Sequence, residues 1–310
     1  MDLRQLNTFL QVAELGSVSR ASDRLRIAQP ALSRQVRLLE EELGVPLFAR
    51  HGRGMQLTPA GEALRARAGA ILRQVEEARA DLMDRAGTVR GRVVFGLTPT
   101  VGAVLATRLI ERFLAEHPQV TLRVVHAFSG YLLEWLQAGE LDIAVTYGGL
   151  TAAGVRQTPL LIEGMCLVAA AEAGLSPHRA VPFADVAARR LVLPGPAHGL
   201  RKLVEAAARD QGLALNVAVE ADDLEVLKDL AQRRLGATVL PLAAVRAAVD
   251  RQLLSAAPII DPQITRKLVV VEPLGRPVSS AVTHFSQALR AEVAQMVEAG
   301  LWNGQLLADT

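Results

Sequence analysis

The side chains with the most legible chemistry are Gln29, Ser33, Arg34 and Arg37, whose offsets of four, one and three residues set them on one face of a helix. A carboxamide can make paired bonds to adenine, a guanidinium to guanine, and a hydroxyl can reach a base or a phosphate. Pro30 fits the first turn of that helix, where its missing N–H is no loss. Arg50 and Arg53 stand beside a glycine-bearing turn, His51-Gly52-Arg53-Gly54. Arginines on such a turn suit a minor groove or its phosphates. Any one of these residues also reads as an ordinary solvated surface group, so it is their order and spacing that point to double-stranded DNA.

A second set suits a small anion. Thr98 and Thr100 follow one apolar run, Ser129-Gly130 precedes a helical pattern, Thr146 closes another apolar run, and Pro194 to Arg201 leads into a helix with His198 and Arg201 at its start. Hydroxyls and free N–H groups at helix N-termini donate to carboxylates, and His198 or Arg201 can add charge. The same hydroxyls can equally be plain helix caps, and Arg201 can equally pair with Glu205 four residues on.

Other chemistry is missing. The histidines are scattered without metal-ligand spacing, and there is no G-x-S-x-G elbow, H-E-x-x-H pair, P-loop or G-x-G-x-x-G turn. Cys166 is the single cysteine, which rules out an internal disulfide. In its apolar run it reads as a buried small hydrophobe rather than a reactive thiol. Neither catalysis, nor a metal, nor a cofactor is expected. The net charge of +2 over 310 residues gives no polyanion signature to the whole chain, so any DNA contact must be local. The opening Met-Asp-Leu-Arg-Gln-Leu is no secretory signal, and no run approaches the roughly 20 apolar residues of a membrane span. A cytoplasmic protein without a membrane partner is expected.

These groups need rigid carriers. Leu3, Leu6, Phe9, Leu10 and Ala13 make one face of a helix that Gly16 ends. Ser17 or Ser19 caps a short second helix, and a third runs from Pro30 to about Leu43 with Leu32, Val36, Leu39 and Leu43 as its buried stripe. Two short helices joined by a tight turn present the second one's N-terminal end to a major groove. Thr58-Pro59 opens a longer helix in which Leu64, Ala68, Ile71, Val75, Ala78 and Leu82 alternate spacings of four and three. That stripe is either a dimer seam or a face packed on the chain's own domain. From Arg92 onward strands and helices alternate, as in βαβ units with a largely parallel sheet, and a last helix from about Ser279 to Ala299 returns to the first half.

Leu3 to Leu64 resembles the LysR-type transcriptional regulators nearly throughout: Leu6-x-x-Phe9, Gly16-Ser17, Ala21 to Leu25, Gln29-Pro30-Ala31-Leu32-Ser33, Leu39-Glu40, Leu43-Gly44, Leu47-Phe48-x-Arg50 and Leu57-Thr58-x-x-Gly61. Ser22 departs from the family's usual alanine, a change of small for small. The run Ser129 to Leu136, with His198-Gly199-Leu200-Arg201, is similar to the subgroup around the nitrogen assimilation control protein. The resemblance implies an α/β protein: a winged helix-turn-helix over 1–58, a linker and dimerisation helix over 59–88, and a periplasmic-binding-protein-like effector domain over 89–310. Its subdomains would span about 89–161 with 267–310, and about 162–266. It further implies a homodimer or homotetramer that binds DNA in response to a small, anionic effector. An enzyme or a solute-binding protein using the same cleft is the competing reading, disfavoured by the missing catalytic motifs and by the fused DNA-binding module.

Overall fold

The computed structural model describes residues 1–51, 54–83, 89–149 and 151–307. Helix α1 (Leu3–Leu15) starts with a reciprocal cap in which the Asp2 carboxylate accepts the Gln5 N–H and the Gln5 side chain accepts the Asp2 N–H, both at 2.8 Å. Gly16 ends it in the left-handed conformation. Of the two candidate caps for α2 (Val18–Leu25), Ser17 is the one that serves, accepting the Arg20 N–H. Helix α3 (Gln29–Leu43) buries Leu32, Val36 and Leu39, whereas Leu43, expected inside, is exposed because the chain turns away at Gly44. Strands β1 (Phe48–His51) and β2 (Gly54–Leu57) form the expected hairpin. The Glu40 carboxylate ties the hairpin to α3 by accepting the N–H groups of Leu47 and Phe48 at 2.7 and 3.1 Å.

Helix α4 (Pro59–Met83) is capped by Thr58, whose hydroxyl oxygen accepts the Gly61 N–H at 3.0 Å. Leu64, Ala68 and Ile71, the first half of the expected seam, belong to the same apolar cluster as Leu6, Phe9 and Leu39 of the module. Val75 is half-buried, Ala78 is exposed, and the side chain of Leu82 lies outside the described residues. The first turns of the stripe therefore close the module's own core.

The body has two halves. The first contains β3 (Gly91–Leu97), α5 (Pro99–Glu116), β4 (Val120–His126), α6 (Ser129–Gln137) and β5 (Ile143–Tyr147), with β3 parallel to both β4 and β5. Strand β6 (Val155–Ala170) then runs into the second half, where β7 (Val181–Pro182), α7 (Phe183–Ala187), β8 (Arg190–Leu193), α8 (Gly199–Asp210), β9 (Asn216–Glu220), α9 (Leu224–Gln232), β10 (Thr238–Pro241), α10 (Leu242–Asp250) and β11 (Leu254–Ile260) follow. Strand β12 (Thr265–Pro273) returns to the first half, and α11 (Ser280–Glu298) with β13 (Gly304–Leu306) completes the chain.

The expected largely parallel sheet holds only within each half. Strand β6 spans about 50 Å at the usual rise and pairs antiparallel with β12, β10, β11 and β13, so the halves are joined by strands of opposite direction. Helix α11 does return to the first half: Phe285 packs tilted against Phe95 and edge-on against Phe113, with ring centres 4.6 and 5.1 Å apart. Strand β11 has no strand signal in the sequence: Ala256, Ala257 and Pro258 are poor strand formers, and pairing with β6 overrides them.

Candidate functional site

The first candidate surface is the N-terminal end of α3. Gln29, Pro30, Arg34 and Arg37 are exposed there and Ser33 is half-buried, opposite the stripe that holds the helix to its core. Arg37 pairs with Glu41 one turn on, at 3.3 Å. Ala28 precedes the helix and its methyl makes no cap, which leaves the polar end open to a partner. Arg50 lies on β1 opposite Met55, and Arg53 lies outside the described residues.

The second site is a cavity of about 710 Å³ between the halves of the body. Thr98, Thr100, Ser129, Gly130 and His198, five of the expected effector residues, line it together. Thr98 precedes α5 yet its side chain makes no cap; its Oγ1 is buried and without a hydrogen-bond partner. Ser129 likewise caps nothing, and its hydroxyl oxygen accepts the Tyr147 N–H at 3.4 Å.

Three expectations need correction. Thr146 does not line the cavity: it is buried within the sheet, paired with Val269. Arg201 does not line it either. Its guanidinium is engaged by Glu205 at 2.6 Å, Glu220 at 3.1 Å and the Pro194 carbonyl at 3.2 Å, which fixes the 194–199 turn from behind. His198 supplies no charge, because its Nδ1 accepts the Leu200 N–H at 3.1 Å and burial, helped by nearby Arg266, depresses its pKa. Its ring meets Phe128 of the opposite half edge-on, with centres 5.1 Å apart.

The buried cation lining this cavity is Arg266, which spacing did not single out. It enters the site from the start of β12, in a run where a lone buried arginine leaves only a faint mark in the sequence. Its Nη2 donates to Glu163 Oε1 at 3.0 Å, and Glu163 Oε2 accepts the Trp302 indole N–H at 2.9 Å. Arg266, Glu163 and Trp302 are all nearly fully buried. Tyr147 lies under the guanidinium, and burial raises its phenol above the ordinary range despite Arg266, so it remains a donor.

No group of three His, Cys, Asp or Glu side chains gathers as a metal site among the described residues. No described helix is long and apolar enough to cross a membrane. Cys166 is buried, and burial pushes its thiol up to about 11.

Both parts of the chain have known counterparts. Residues 3–62 match the bacterial regulatory helix-turn-helix proteins of the lysR family, and residues 86–294 match the LysR substrate binding domain. The nitrogen assimilation regulatory protein nac of Klebsiella aerogenes is 35% identical over 247 residues, covering 79% of this chain and 80% of that protein. The DNA-binding transcriptional dual regulator OxyR of Escherichia coli is 29% identical, covering 94% of this chain and 96% of that protein. A solved full-length OxyR variant from Pseudomonas aeruginosa superposes with a TM-score of 0.70 at 26% identity, covering 94% of each chain. The chain belongs to the LysR family of DNA-binding transcriptional regulators.

Proposed function

We propose that this regulator reads its operator with α3, through Gln29, Pro30, Ser33, Arg34 and Arg37, and braces the complex with the hairpin arginines Arg50 and Arg53. The observation that carries this reading is the two-sidedness of α3: Leu32, Val36 and Leu39 lock one face into the core while Gln29, Arg34 and Arg37 stand exposed on the other. Paired half-sites require a second copy, and Val75 and Ala78 of α4 are the seam positions left for it. Acting on DNA, the protein works in the cytoplasm.

The interdomain cavity is the effector site on this reading, and its ligand is a small anion received by Thr98, Thr100, Ser129, the Gly130 backbone and His198. The chain regulates rather than catalyses. Its relatives include peroxide-inducible activators, but with Cys166 as the single cysteine this chain has no pair of thiols to join. Footprinting of the region beside its own gene, with and without small metabolites, tests the reading. An interrupted palindrome whose protection changes with one metabolite is expected, and Thr100→Val blunts that change without weakening basal binding. No footprint at all, or turnover of a substrate by the purified protein, overturns it.

A further inference from the structure

Three polar atoms of residues lining the cavity, Arg266 Nε, Tyr147 Oη and Thr98 Oγ1, are buried and make no hydrogen bond of good geometry within the chain, although the Thr98 and Thr100 hydroxyls lie near the Tyr147 phenol. Most buried polar side-chain atoms of folded proteins have a partner, and three of those left without one here belong to residues lining one cavity. They arrive from separate elements, the N-terminal boundary of α5, the end of β5 and the start of β12. Nε–H of an arginine can only donate, and the phenol and the hydroxyl, neither engaged by a cap or carboxylate, can donate as well. A ligand that satisfies all three offers at least two acceptor oxygens close together.

Charge narrows the class. Arg266 is already neutralised by Glu163, and both side chains are almost wholly buried, so the floor carries little net positive charge. One negative charge, delocalised over two oxygens and met by three donors, is tolerated there; a second finds no buried cation. Lys202 and Lys267 also line the cavity, but they are exposed, as are Glu220 and Asp222, and such charges are screened. Leu224, Leu227, Leu240 and Phe128 line further wall, a surface for an apolar body rather than a second polar group.

We infer that the cavity takes a monocarboxylate with an apolar body, its carboxylate received by Arg266 Nε, Tyr147 Oη and Thr98 Oγ1. This rests on reading the cavity as the effector site and specifies the ligand class for it. An acid offers two acceptor oxygens to the three donors and its amide only one; Arg266 Nε anchors the first oxygen, and Tyr147 and Thr98 fix where the oxygens lie.

The test is ligand-induced thermal stabilisation of the full-length protein, with benzoate and butyrate as probes against benzamide, butyramide, succinate and inorganic phosphate. The two monocarboxylates are expected to raise the midpoint saturably and the other four to leave it unchanged. Substituting Arg266 strands Glu163 and risks unfolding, so the decisive variants are Thr98→Val and Tyr147→Phe, which keep that pair. Each is expected to weaken benzoate or butyrate binding about tenfold, the loss of one hydrogen bond to a charged group. The proposal is overturned if an amide or succinate stabilises as well as its monocarboxylate counterpart. It is equally overturned if inorganic phosphate stabilises as well as the monocarboxylates, if neither monocarboxylate stabilises, or if both variants bind like the wild type. Should succinate bind and the footprint respond to it, the ligand class is wrong while the effector reading stands.

Discussion

The guanidinium carbon of Arg266 lies 3.8 Å above the ring centre of Tyr147, so a strand that joins the two halves of the body meets the end of β5 through a cation–π contact. On its other side Arg266 holds Glu163, and Glu163 holds Trp302 near the end of the described chain. The cavity wall thus rests on a chain of four side chains, three of them buried and Tyr147 half-buried, drawn from both crossover strands, β5 and the segment after α11.

Glu163→Leu is expected to lower stability by about 3–5 kcal/mol, because it leaves the Arg266 charge buried without a counterion. The double variant Glu163→Leu with Arg266→Met should recover much of that loss. Urea unfolding of the three proteins measures both effects, and equal stability of the single and double variants would remove the ion pair from the account.

Gln29→Ala and Arg34→Ala are each expected to cost about 1–3 kcal/mol of operator binding and to relax the base preference at the contacted position. Arg37→Ala, if Arg37 meets phosphate rather than base, should weaken binding to all sequences and flatten its salt dependence. Gel-shift titrations at several salt concentrations separate the two behaviours. Circular dichroism should show an unchanged fold, since none of these side chains is buried.

Gly61 sits so close to the hairpin that a Cβ there would run into the Leu47 carbonyl and the Leu57 side chain. Gly61→Ala should therefore push α4 off β1 and β2 and destabilise the N-terminal module by about 1–3 kcal/mol. Differential scanning calorimetry should show an earlier transition for that module, with the body's transition in place. An unshifted trace would mean that the contact relaxes at little cost.

His198 gives stability a pH dependence whose sign follows from its depressed pKa. The unfolded chain takes up a proton near the ordinary value of 6.5, the folded chain only at lower pH, so stability present above 6.5 declines as pH falls below it. His198→Asn keeps a side chain able to cap α8 while removing the titration. Urea midpoints at about pH 7.5 and about pH 5.5 should differ less in the variant than in the wild type. The same difference in both would place the titrating group elsewhere.

Cys166 should be silent in the native protein. With its thiol raised to about 11 by burial, almost none is thiolate near neutral pH, and its sulfur is out of reach of a reagent. Ellman's reagent is expected to label it only once denaturant unfolds the second half. Stoichiometric labelling of the native protein within seconds would contradict that burial.

The N-terminal module was legible in the sequence because its structure is local. Caps, the glycine at the end of α1 and the spacing of Leu32, Val36 and Leu39 all act within a turn or two, so the exposed face of α3 follows from the buried one. The alternation of strands and helices likewise announced the body, and the hydroxyls Thr98, Thr100 and Ser129 were found as helix-start residues. Whether those hydroxyls cap or face a cavity was open, since one residue type serves both. Only the fold decided that Thr98 and Ser129 cap nothing while His198 does, and that Arg201 braces a turn from behind. The anchor itself was beyond any reading of spacing. Arg266 and Glu163 are 103 residues apart, and Glu163 and Trp302 are 139 apart. Their meeting is set by the register of β12 on β6 and by the return of the chain after α11, long-range pairings that no local pattern encodes.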